Sequence, residues 1–566
     1  MEAMGEVEQR IDGRVRERLL ERYRAIDGPT CRRLTEAGLA WLRTNQQVVN
    51  SLNVFPVPDG DTGTNMVLTM QAAWDEIASH SEAAIGRLAK SIAQGALMGA
   101  RGNSGVILSQ LWRGFARALD DATLMDVPLF VRGLAEARDT AYKGVVRPVE
   151  GTILTVAKDV ASAAEQAQKE GASSALQILE RIVQAAHESV QRTPDLLPVL
   201  KQAGVVDSGG MGLYLLLEGM LRSAYRQPLD TPTVAVRSLG ELTLEQASES
   251  VEPGQDWEVV VDFRPDATLD VQGFYRRLEA MGTSIQVGEG DGLYRMHIHV
   301  PDRKEYDPID YVRSLGTVTR VAIENLMAQS AAQLSTEKDR LRLTAVQPGQ
   351  IGAIAVSPGF GISRVFASLG IAAIVDGGQT MNPSTQEILR AFEELPTDKI
   401  IILPNNKNIE LAARQAAEHS VKSVAVIPSH SVPQGIAAML CFEVGGDFDE
   451  IVGRMTGALK NVRQGEITIA TRSVEIDGVP VREGQVIGLL HGKLATAGDS
   501  LQETLLETLR AGRAQEAELI TLFYGADLSA QQANQLADLV RQRWPEQEVE
   551  VVEGGQPHYP LILSIE

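Results

Sequence analysis

Residues 53–66 read NVFPVPDGDTGTNM, and the rest of the chain is organised around this stretch. Two carboxylates, Asp59 and Asp61, are separated by one glycine, and in an extended segment such side chains point the same way. The stretch contains no lysine or arginine, and paired oxygen ligands without a counter-cation favour a divalent metal, most naturally Mg²⁺. Because Pro-Asp-Gly is also ordinary turn chemistry, a surface turn is the competing interpretation of these residues alone.

The bulk composition predicts a multidomain protein that binds neither nucleic acid nor membranes. A chain of 566 residues is too long for one core, and an apolar content of 44% suffices for globular packing. The formal charge of −21 repels nucleic acid and anionic membranes. Cys31 and Cys441 lie far apart, and the charged N-terminus lacks an apolar signal core. We therefore expect a cytoplasmic protein without a disulfide framework or membrane insertion.

Glycine-rich and polar segments recur downstream of residues 53–66. In GARGNSG, residues 99–105, a helix N-terminus is predicted, where free N–H groups and the helix dipole favour phosphate. A helix cap without a ligand is the alternative for this segment alone. The remaining segments are PVEGTILT (148–155), VDSGGMG (206–212), GGQTMNPST (377–385) and LPNNKN (403–408). For residues 377–385, which follow a predicted strand, a structural turn is the alternative to a functional loop.

In this order, the segments resemble the nucleotide-binding domain of the dihydroxyacetone-kinase family and, more closely, the ATP-binding subunits of bacterial fatty acid kinases. The resemblance runs from about residue 24 to the C-terminus. It implies a ring of antiparallel helices with nucleotide at one end, and ATP and Mg²⁺, as two ions, as cofactors. It also implies a homodimer, and a separate DegV-type fatty-acid-binding protein as the partner that holds the acyl chain.

The predicted fold class is multidomain: an all-α nucleotide-binding helical barrel, a small α+β middle domain and an α/β C-terminal domain. Helical apolar spacing dominates the first part, as at Ile85, Leu88, Ala89, Ile92 and Ala96. A βαββαβ order then predicts a ferredoxin-like sandwich, and short apolar runs that end in loops predict a parallel sheet. The expected divisions are a helical extension (1–23), the ATP- and Mg-binding domain (24–226), a linker (227–255), the middle domain (256–330) and a DegV-like domain that docks the carrier (343–566).

The sequence has no GxxxxGK[ST] P-loop, so metal and backbone dipoles must meet the charge of the phosphates. Asp59 and Asp61 are the predicted Mg²⁺ ligands. Asn53 stands where the resembling family has a further aspartate, and whether it binds metal directly or through water stays open. Arg101 is predicted to stabilise charge in the transition state. The predicted nucleotide contacts are Thr62, Gly63, Thr64, Asn65, Met66, Gly102, Asn103, Ser104, Gly105, Thr152, Asp207 and Gly209; for Met66 a core position is the alternative, and for Thr152 and Asp207 a helix cap.

His297 and His299 place two imidazoles on one face of a predicted strand in the middle domain. They can be metal ligands, acid/base participants in transfer, or part of a half-exposed strand face. The resemblance implicates the matching pair in activity, together with a cysteine on a neighbouring strand. Because this domain has no cysteine, zinc is poorly supported, and a catalytic role in activating the acceptor stays open.

The resemblance predicts an ATP-dependent phosphotransferase that acts on a carboxyl group. It would transfer the γ-phosphoryl of ATP to the carboxylate of a carrier-bound fatty acid, giving an acyl-phosphate for phospholipid synthesis. One alternative is a dihydroxyacetone-type kinase with a separate substrate subunit. Another is a scaffold that senses ATP without turnover, for which the uncharged Asn53 leaves room.

Overall fold

A computed structural model describes most of the chain: residues 13–53, 60–79, 82–145, 147–229, 237–238, 257–266, 269–290, 293–301, 304, 306–325, 341–378, 381–470, 474–476 and 479–566. The chain divides into two compact units. One unit joins residues 1–231 to residues 342–566, and the other spans residues 232–341. None of the described helices has the length and apolar composition needed to cross a membrane.

The N-terminal part of the first unit is helical. Its helices are α1 (Gly13–Arg22), α2 (Gly28–Thr44), α3 (Gln46–Ser51), α4 (Thr62–Ala78), α5 (Ile85–Met98), α6 (Gly102–Leu119), α7 (Val127–Gly144), α8 (Ile153–Lys169), α9 (Ala175–Leu196), α10 (Pro198–Ala203) and α11 (Ser208–Ala224). From α4 to α9 each long helix packs against the next, α9 packs against α11, and α11 and α4 both pack against α2. The long helices therefore close into a ring, which confirms the predicted helical barrel.

The helices of this ring form because each has an apolar stripe that faces the common core and a defined start. The predicted stripe of α5, from Ile85 to Ala96, is at most 1% exposed. Capping fixes several starts: Asp27 accepts a hydrogen bond from the backbone N–H of Thr30 at 2.8 Å. Ser174 and Gln177 form a reciprocal capping box at α9. Such caps set where each N-terminus lies and so determine which loops meet at each end of the ring.

The C-terminal part of the first unit contains two larger sheets. Its elements begin with β6 (Ile351–Ser357), α14 (Phe360–Ser368), β7 (Ala373–Asp376), α15 (Thr385–Glu393), β8 (Lys399–Leu403), α16 (Glu410–Glu418), β9 (Ser423–Val426), α17 (Val432–Met439) and α18 (Phe448–Ala458). Strands β6 to β9 form a parallel sheet in the order β7-β6-β8-β9. Strand β6 is buried throughout, as expected for a parallel strand that is covered on both faces.

A mixed sheet follows. Its elements are β10 (Arg463–Ile469), β11 (Val474–Ile476), β12 (Val479–Val481), β13 (Val486–Leu490), β14 (Lys493–Gly498), α19 (Leu501–Ala511), β15 (Leu519–Tyr524), α20 (Ala530–Arg543), β16 (Glu548–Glu553) and β17 (Leu561–Ile565). The strand order is β14-β13-β10-β17-β15-β16. Strands β11 and β12 pair antiparallel on either side of residues 477–478, which supports the hairpin expected from Asp-Gly, although those two residues lie outside the described part.

The helical ring and the α/β part share a continuous apolar contact within the first unit. Ala100 and Val106 are buried in the same cluster as Ile409, Ala412 and Ala416. Ala100 also accepts a hydrogen bond from the backbone N–H of residue 385 at 3.2 Å. The loop before α6 is therefore held against the loop before α15.

The second unit is a four-stranded antiparallel sheet with two helices and a short extra strand. Its elements are β1 (Arg237–Ser238), β2 (Trp257–Pro265), α12 (Val271–Glu279), β3 (Thr283–Gly290), β4 (Leu293–Val300), α13 (Asp307–Leu315) and β5 (Gly316–Asn325). The sheet order is β1-β3-β4-β2-β5, and the order of β2 to β5 is that of the predicted ferredoxin-like sandwich. Strand β1 falls inside the stretch predicted as a linker.

Candidate phosphate and metal site

Asp61 lies directly before α4, in the loop with which the sequence argument begins. The residue is 7% exposed, as is Asn53 at the end of α3. The Asp61 side chain makes no capping hydrogen bond to α4; instead the Asn50 side-chain oxygen accepts the backbone N–H of Thr64 at 3.1 Å. Asp59 lies outside the described residues, so its predicted role as a metal ligand stays a prediction.

The N-termini of α4 and α11 meet across the ring. The Ser208 hydroxyl donates a hydrogen bond to the Thr62 hydroxyl at 3.2 Å, and both side chains are buried. The starts of α4 and α11 therefore lie in contact, and a shared role of the two segments in one site stays a prediction. Ser208 was not among the predicted residues, although it lies between Asp207 and Gly209, which were.

The first turn of α6 approaches α4 so closely that glycine is required there. Gly102 has φ +56°, a conformation that residues with a Cβ adopt at a cost. A Cβ at this position would lie 2.7 Å from the side-chain nitrogen of Asn65. At Gly105 a Cβ would lie 2.4 Å from the hydroxyl oxygen of Thr69. These glycines let the backbone of α6 reach the polar side chains of α4.

The N-terminus of α8 also lies at this end of the ring, where it contacts the first turn of α11. A Cβ at Gly209 would lie 3.3 Å from Cβ of Ile153, the first residue of α8, and 3.5 Å from the Ser104 hydroxyl oxygen in α6. Thr152 caps α8: its hydroxyl donates to the Val149 carbonyl at 2.7 Å and accepts from the Leu154 N–H at 3.4 Å. The structure thus gives Thr152 the capping role that was the alternative to a nucleotide contact.

Asp207 also caps a helix, because its carboxylate accepts the Gly210 N–H at 2.6 Å at the start of α11. Burial raises the pKa of Asp207 to about 6, against the opposing effect of the hydrogen bonds from the Gly210 and Ile153 backbones. The carboxylate is therefore costly to ionise where it stands. Binding of a cation or of a proton-donating ligand beside it would relieve that cost.

Four helix N-termini, those of α4, α6, α8 and α11, consequently converge at one end of the ring. Each has the positive end of its dipole there, although Asn50, Thr152 and Asp207 already accept N–H groups at the starts of α4, α8 and α11. No described side chain caps α6, whose N-cap residue is Arg101. In a chain with a net charge of −21, these aligned dipoles favour an anion at this end of the ring.

Two predicted contacts have other roles in the structure. The Thr64 hydroxyl accepts hydrogen bonds from the amides of Gln46 at 2.9 Å and Asn50 at 3.1 Å, which tie α4 to α3. Met66 is fully buried in the helical core, and a Cβ at Gly212 would lie 2.4 Å from its sulphur. The core position that was the alternative for Met66 therefore describes its surroundings here. Gly63 lies in the first turn of α4, where a Cβ would be 2.4 Å from the Gln46 carbonyl.

The α/β part reaches this site with residues that sequence reasoning did not assign to it. The side-chain amide of Asn382 donates a short hydrogen bond to the Asp61 carboxylate. Arg101 donates to the Asn382 carbonyl at 2.9 Å and pairs with the Glu387 carboxylate at 3.1 Å. Asn103 donates to the Asn408 side chain at 2.9 Å. Asn382 and Asn408, from the two segments that resemble the family's C-terminal region, therefore contact the end of the ring at which Asp61 lies.

The residues that surround Asp61 fit Mg²⁺ better than a softer metal. Asp61 offers carboxylate oxygens, which are hard donors that suit magnesium, and its neighbour Asn382 contributes an amide rather than a thiol or an imidazole. Within the described ranges, no group of three or more His, Cys, Asp or Glu residues has the geometry of a metal site. A site here would consequently need Asp59, or the phosphates themselves, to supply further oxygens.

The two histidines belong to the second unit, which is described by itself. In β4, His297 pairs with Val260 and Gln286, and His299 pairs with Glu258 and Thr283. His299 is 2% exposed, so its ring does not belong to the half-exposed strand face that was one of the three interpretations. Catalytic and metal-binding roles for the pair stay predictions.

Known proteins resemble this chain along most of its length. Residues 56–222 match the DAK2 domain, residues 252–333 the FakA-like middle domain of fatty acid kinases, and residues 352–566 the FakA-like C-terminal domain. An uncharacterized protein of Staphylococcus haemolyticus is 37% identical over 536 residues, covering 93% of this chain and 96% of that protein. One of Staphylococcus aureus is 36% identical over 535 residues, with the same coverages.

Among solved structures, a DegV-family protein of Corynebacterium glutamicum aligns with 38% of this chain and 96% of its own, at 18% identity and a TM-score of 0.29. The Streptococcus pneumoniae fatty acid kinase B3 protein, loaded with linoleic acid, aligns with 32% of this chain and 76% of its own, at 16% identity and a TM-score of 0.26. These partial overlaps add nothing to the family assignment. The domain matches and the near full-length relatives show that the chain belongs to the FakA-like family of fatty acid kinase proteins.

Proposed function

We propose that this chain is the ATP-binding catalytic subunit of a fatty acid kinase. It transfers the γ-phosphoryl group of ATP to the carboxylate of a fatty acid that a separate DegV-type protein presents. The observation that carries this proposal is the convergence of four helix N-termini around Asp61, a site with the charge pattern that a metal–triphosphate complex needs.

Phosphoryl transfer depends on positioning and electrostatics more than on covalent help from the protein. An oxygen of the acyl carboxylate attacks the γ-phosphorus, the bond from that phosphorus to the bridging oxygen of ADP breaks, and the products are acyl-phosphate and ADP. Asp61, with Asp59 and Asn53, would hold Mg²⁺, which would neutralise charge on the phosphate oxygens. The helix dipoles of α4, α6, α8 and α11, together with the first N–H groups of α6, which its N-cap side chain does not bond, orient the phosphates.

The proposed mechanism differs from that of a P-loop enzyme, because residues 53–66 contain no lysine. In a P-loop enzyme a lysine approaches the β- and γ-phosphates, whereas here helix dipoles and the cation share that task. Nucleotide should therefore bind only together with the divalent ion.

A direct test combines the purified chain with Mg·ATP and a DegV-type protein that carries oleate. Hydroxylamine traps an acyl-phosphate as a hydroxamate, which mass spectrometry identifies. We expect hydroxamate only when chain, nucleotide and loaded carrier are all present. Phosphorylation of dihydroxyacetone by the chain with a separate substrate protein would support the first alternative, and nucleotide binding without turnover of any acceptor would support the scaffold; either result would contradict the proposal.

A further inference from the structure

The side-chain amide of Asn382 is buried, and its nitrogen and oxygen atoms differ in their hydrogen bonding. Its Nδ2 donates to the Asp61 carboxylate, while its Oδ1 is buried without a hydrogen-bond partner among the described residues. The side chain is 2% exposed. Exchanging Nδ2 and Oδ1 would bring an oxygen against a carboxylate, so the contact with Asp61 fixes this orientation. A buried acceptor left unpaired is costly and indicates a partner that completes it.

The backbone of the Asn382 loop is held on both sides. Arg101 donates to the Asn382 carbonyl oxygen at 2.9 Å, and Ser384 opens α15 with a capping box to Glu387. Burial opposes ionisation of Glu387, but the Arg101 charge and the hydrogen bonds from Ser384 outweigh it and hold the pKa of that carboxyl below its usual range. The ionised Glu387 therefore keeps Arg101 in place, and Arg101 in turn fixes Asn382.

Carboxylates that ligate a metal generally have a fixed hydrogen-bond donor beside them, as Asp61 has in Asn382. Ligating carboxylates are hydrogen-bonded by outer groups that set their orientation, and loss of such a group costs roughly 10- to 100-fold in metal affinity or activity. Magnesium also retains several of its waters, and each such water needs an acceptor. The unpaired Oδ1 of Asn382 is an acceptor next to the ligating carboxylate.

We infer that Asn382 is a positioning residue of the phosphate-transfer site, supplied by the α/β domain. Its amide N–H orients Asp61, and its Oδ1 accepts a hydrogen bond from a water of the bound cation. The inference rests on the proposed function, because it takes Asp61 as a magnesium ligand. It makes the site a composite of the helical ring and the loop between β7 and α15, so the α/β domain has a role at the nucleotide in addition to any docking of a carrier.

The test measures the Mg²⁺ concentration that gives half-maximal binding of a fluorescent ATP analogue to the full-length chain. For Asn382→Leu, which keeps the size but removes both polar atoms, we expect a rise of about 10- to 100-fold. Asn461→Ala, at an exposed asparagine of the same domain, is the matched control and should bind like the wild type. Asn408→Ala removes another cross-domain hydrogen bond and should change the Mg²⁺ requirement much less than Asn382→Leu does.

A second variant separates metal positioning from simple docking of the two domains. Asn382→Asp places a second carboxylate against Asp61, so its melting temperature should fall in EDTA and recover when Mg²⁺ is added. A merely structural contact would lower the melting temperature equally with and without Mg²⁺, and that result would overturn the inference. So would a folded Asn382→Leu variant with an unchanged Mg²⁺ requirement. If the wild type itself showed no Mg²⁺-dependent nucleotide binding, the proposed function would fail instead.

Discussion

The helix N-termini of the ring and the Asn382 loop of the α/β domain meet at the Asp61 carboxylate, but they affect it through different interactions. The ring offers backbone dipoles from α4, α6, α8 and α11, fixed by caps and by close approach at Gly102 and Gly209. The loop offers one side-chain amide, held by Arg101 and Glu387. Backbone dipoles cannot be removed by a point mutation, whereas a single amide can. Mutations in the ring should therefore affect binding through its geometry, and mutations in the loop should affect how well the cation is held.

The largest effect is expected at Asp61, where both contributions meet. Asp61→Asn keeps the shape of the side chain but removes its charge, so phosphoryl transfer should fall by about 10³-fold or more. The fold should survive, because the residue lies in a loop at the edge of the core. Asp195→Asn, at an exposed carboxylate, is the control for overall charge. Near-normal turnover of Asp61→Asn would refute the metal assignment.

A glycine pair tests the geometry of the ring. Gly102→Ala combines a left-handed backbone with a Cβ 2.7 Å from Asn65, while Gly171→Ala has a similar backbone, φ +93°, and open space. Both should lose about 1–2 kcal/mol of unfolding free energy, measured by urea denaturation. Only Gly102→Ala should also weaken ATP binding, because Asn65 must move. Equal ATP affinity in the two variants would show that the approach of α6 to α4 does not matter for the ligand.

Asp207 gives the ring a pH dependence. Its folded pKa of about 6 lies above the ordinary value of 3.8, so the folded state holds this proton more tightly and stability is lost as pH rises between those values. Asp207→Asn retains an acceptor for the Gly210 N–H and should raise unfolding free energy by about 1–3 kcal/mol above about pH 6. The gain should vanish below about pH 4. A gain from Asp207→Asn that is equal at every pH would contradict this explanation.

The smallest effect is expected for the ion pair that anchors the loop. Arg101 and Glu387 have side-chain exposures of 28% and 49%, so a double-mutant cycle with Arg101→Ala and Glu387→Gln should give a coupling of about 0.5–1 kcal/mol in stability. If the pair acts only as an anchor, both single variants should raise the Mg²⁺ requirement alike. If Arg101 stabilises the transition state, Arg101→Ala should lose far more turnover than Glu387→Gln.

The sequence offers candidate residues on the ring side of the proposed site because they lie in short local motifs. Residues 53–66, 99–105 and 206–212 each carry their own turn and helix start, so Asp61, Gly102 and Gly209 could be assigned before their neighbours were known. Asn382 lies 321 residues from Asp61, and a glycine- and proline-rich strand-end loop is also typical of a plain turn. Only the packing of α16 against α6 and α15 against α5 brings that loop to the carboxylate. Arg101 was noticed for its charge, but its partner Glu387 could not be inferred.

Calorimetry of ATP binding to the wild-type chain, with Mg²⁺ and then with EDTA, tests the central claim most directly. A site that relies on helix dipoles and Asp61, without a lysine in residues 53–66, should bind ATP when Mg²⁺ is present and lose that binding when the cation is removed. Equal affinity in EDTA, or no binding with Mg²⁺ in excess, would contradict this account.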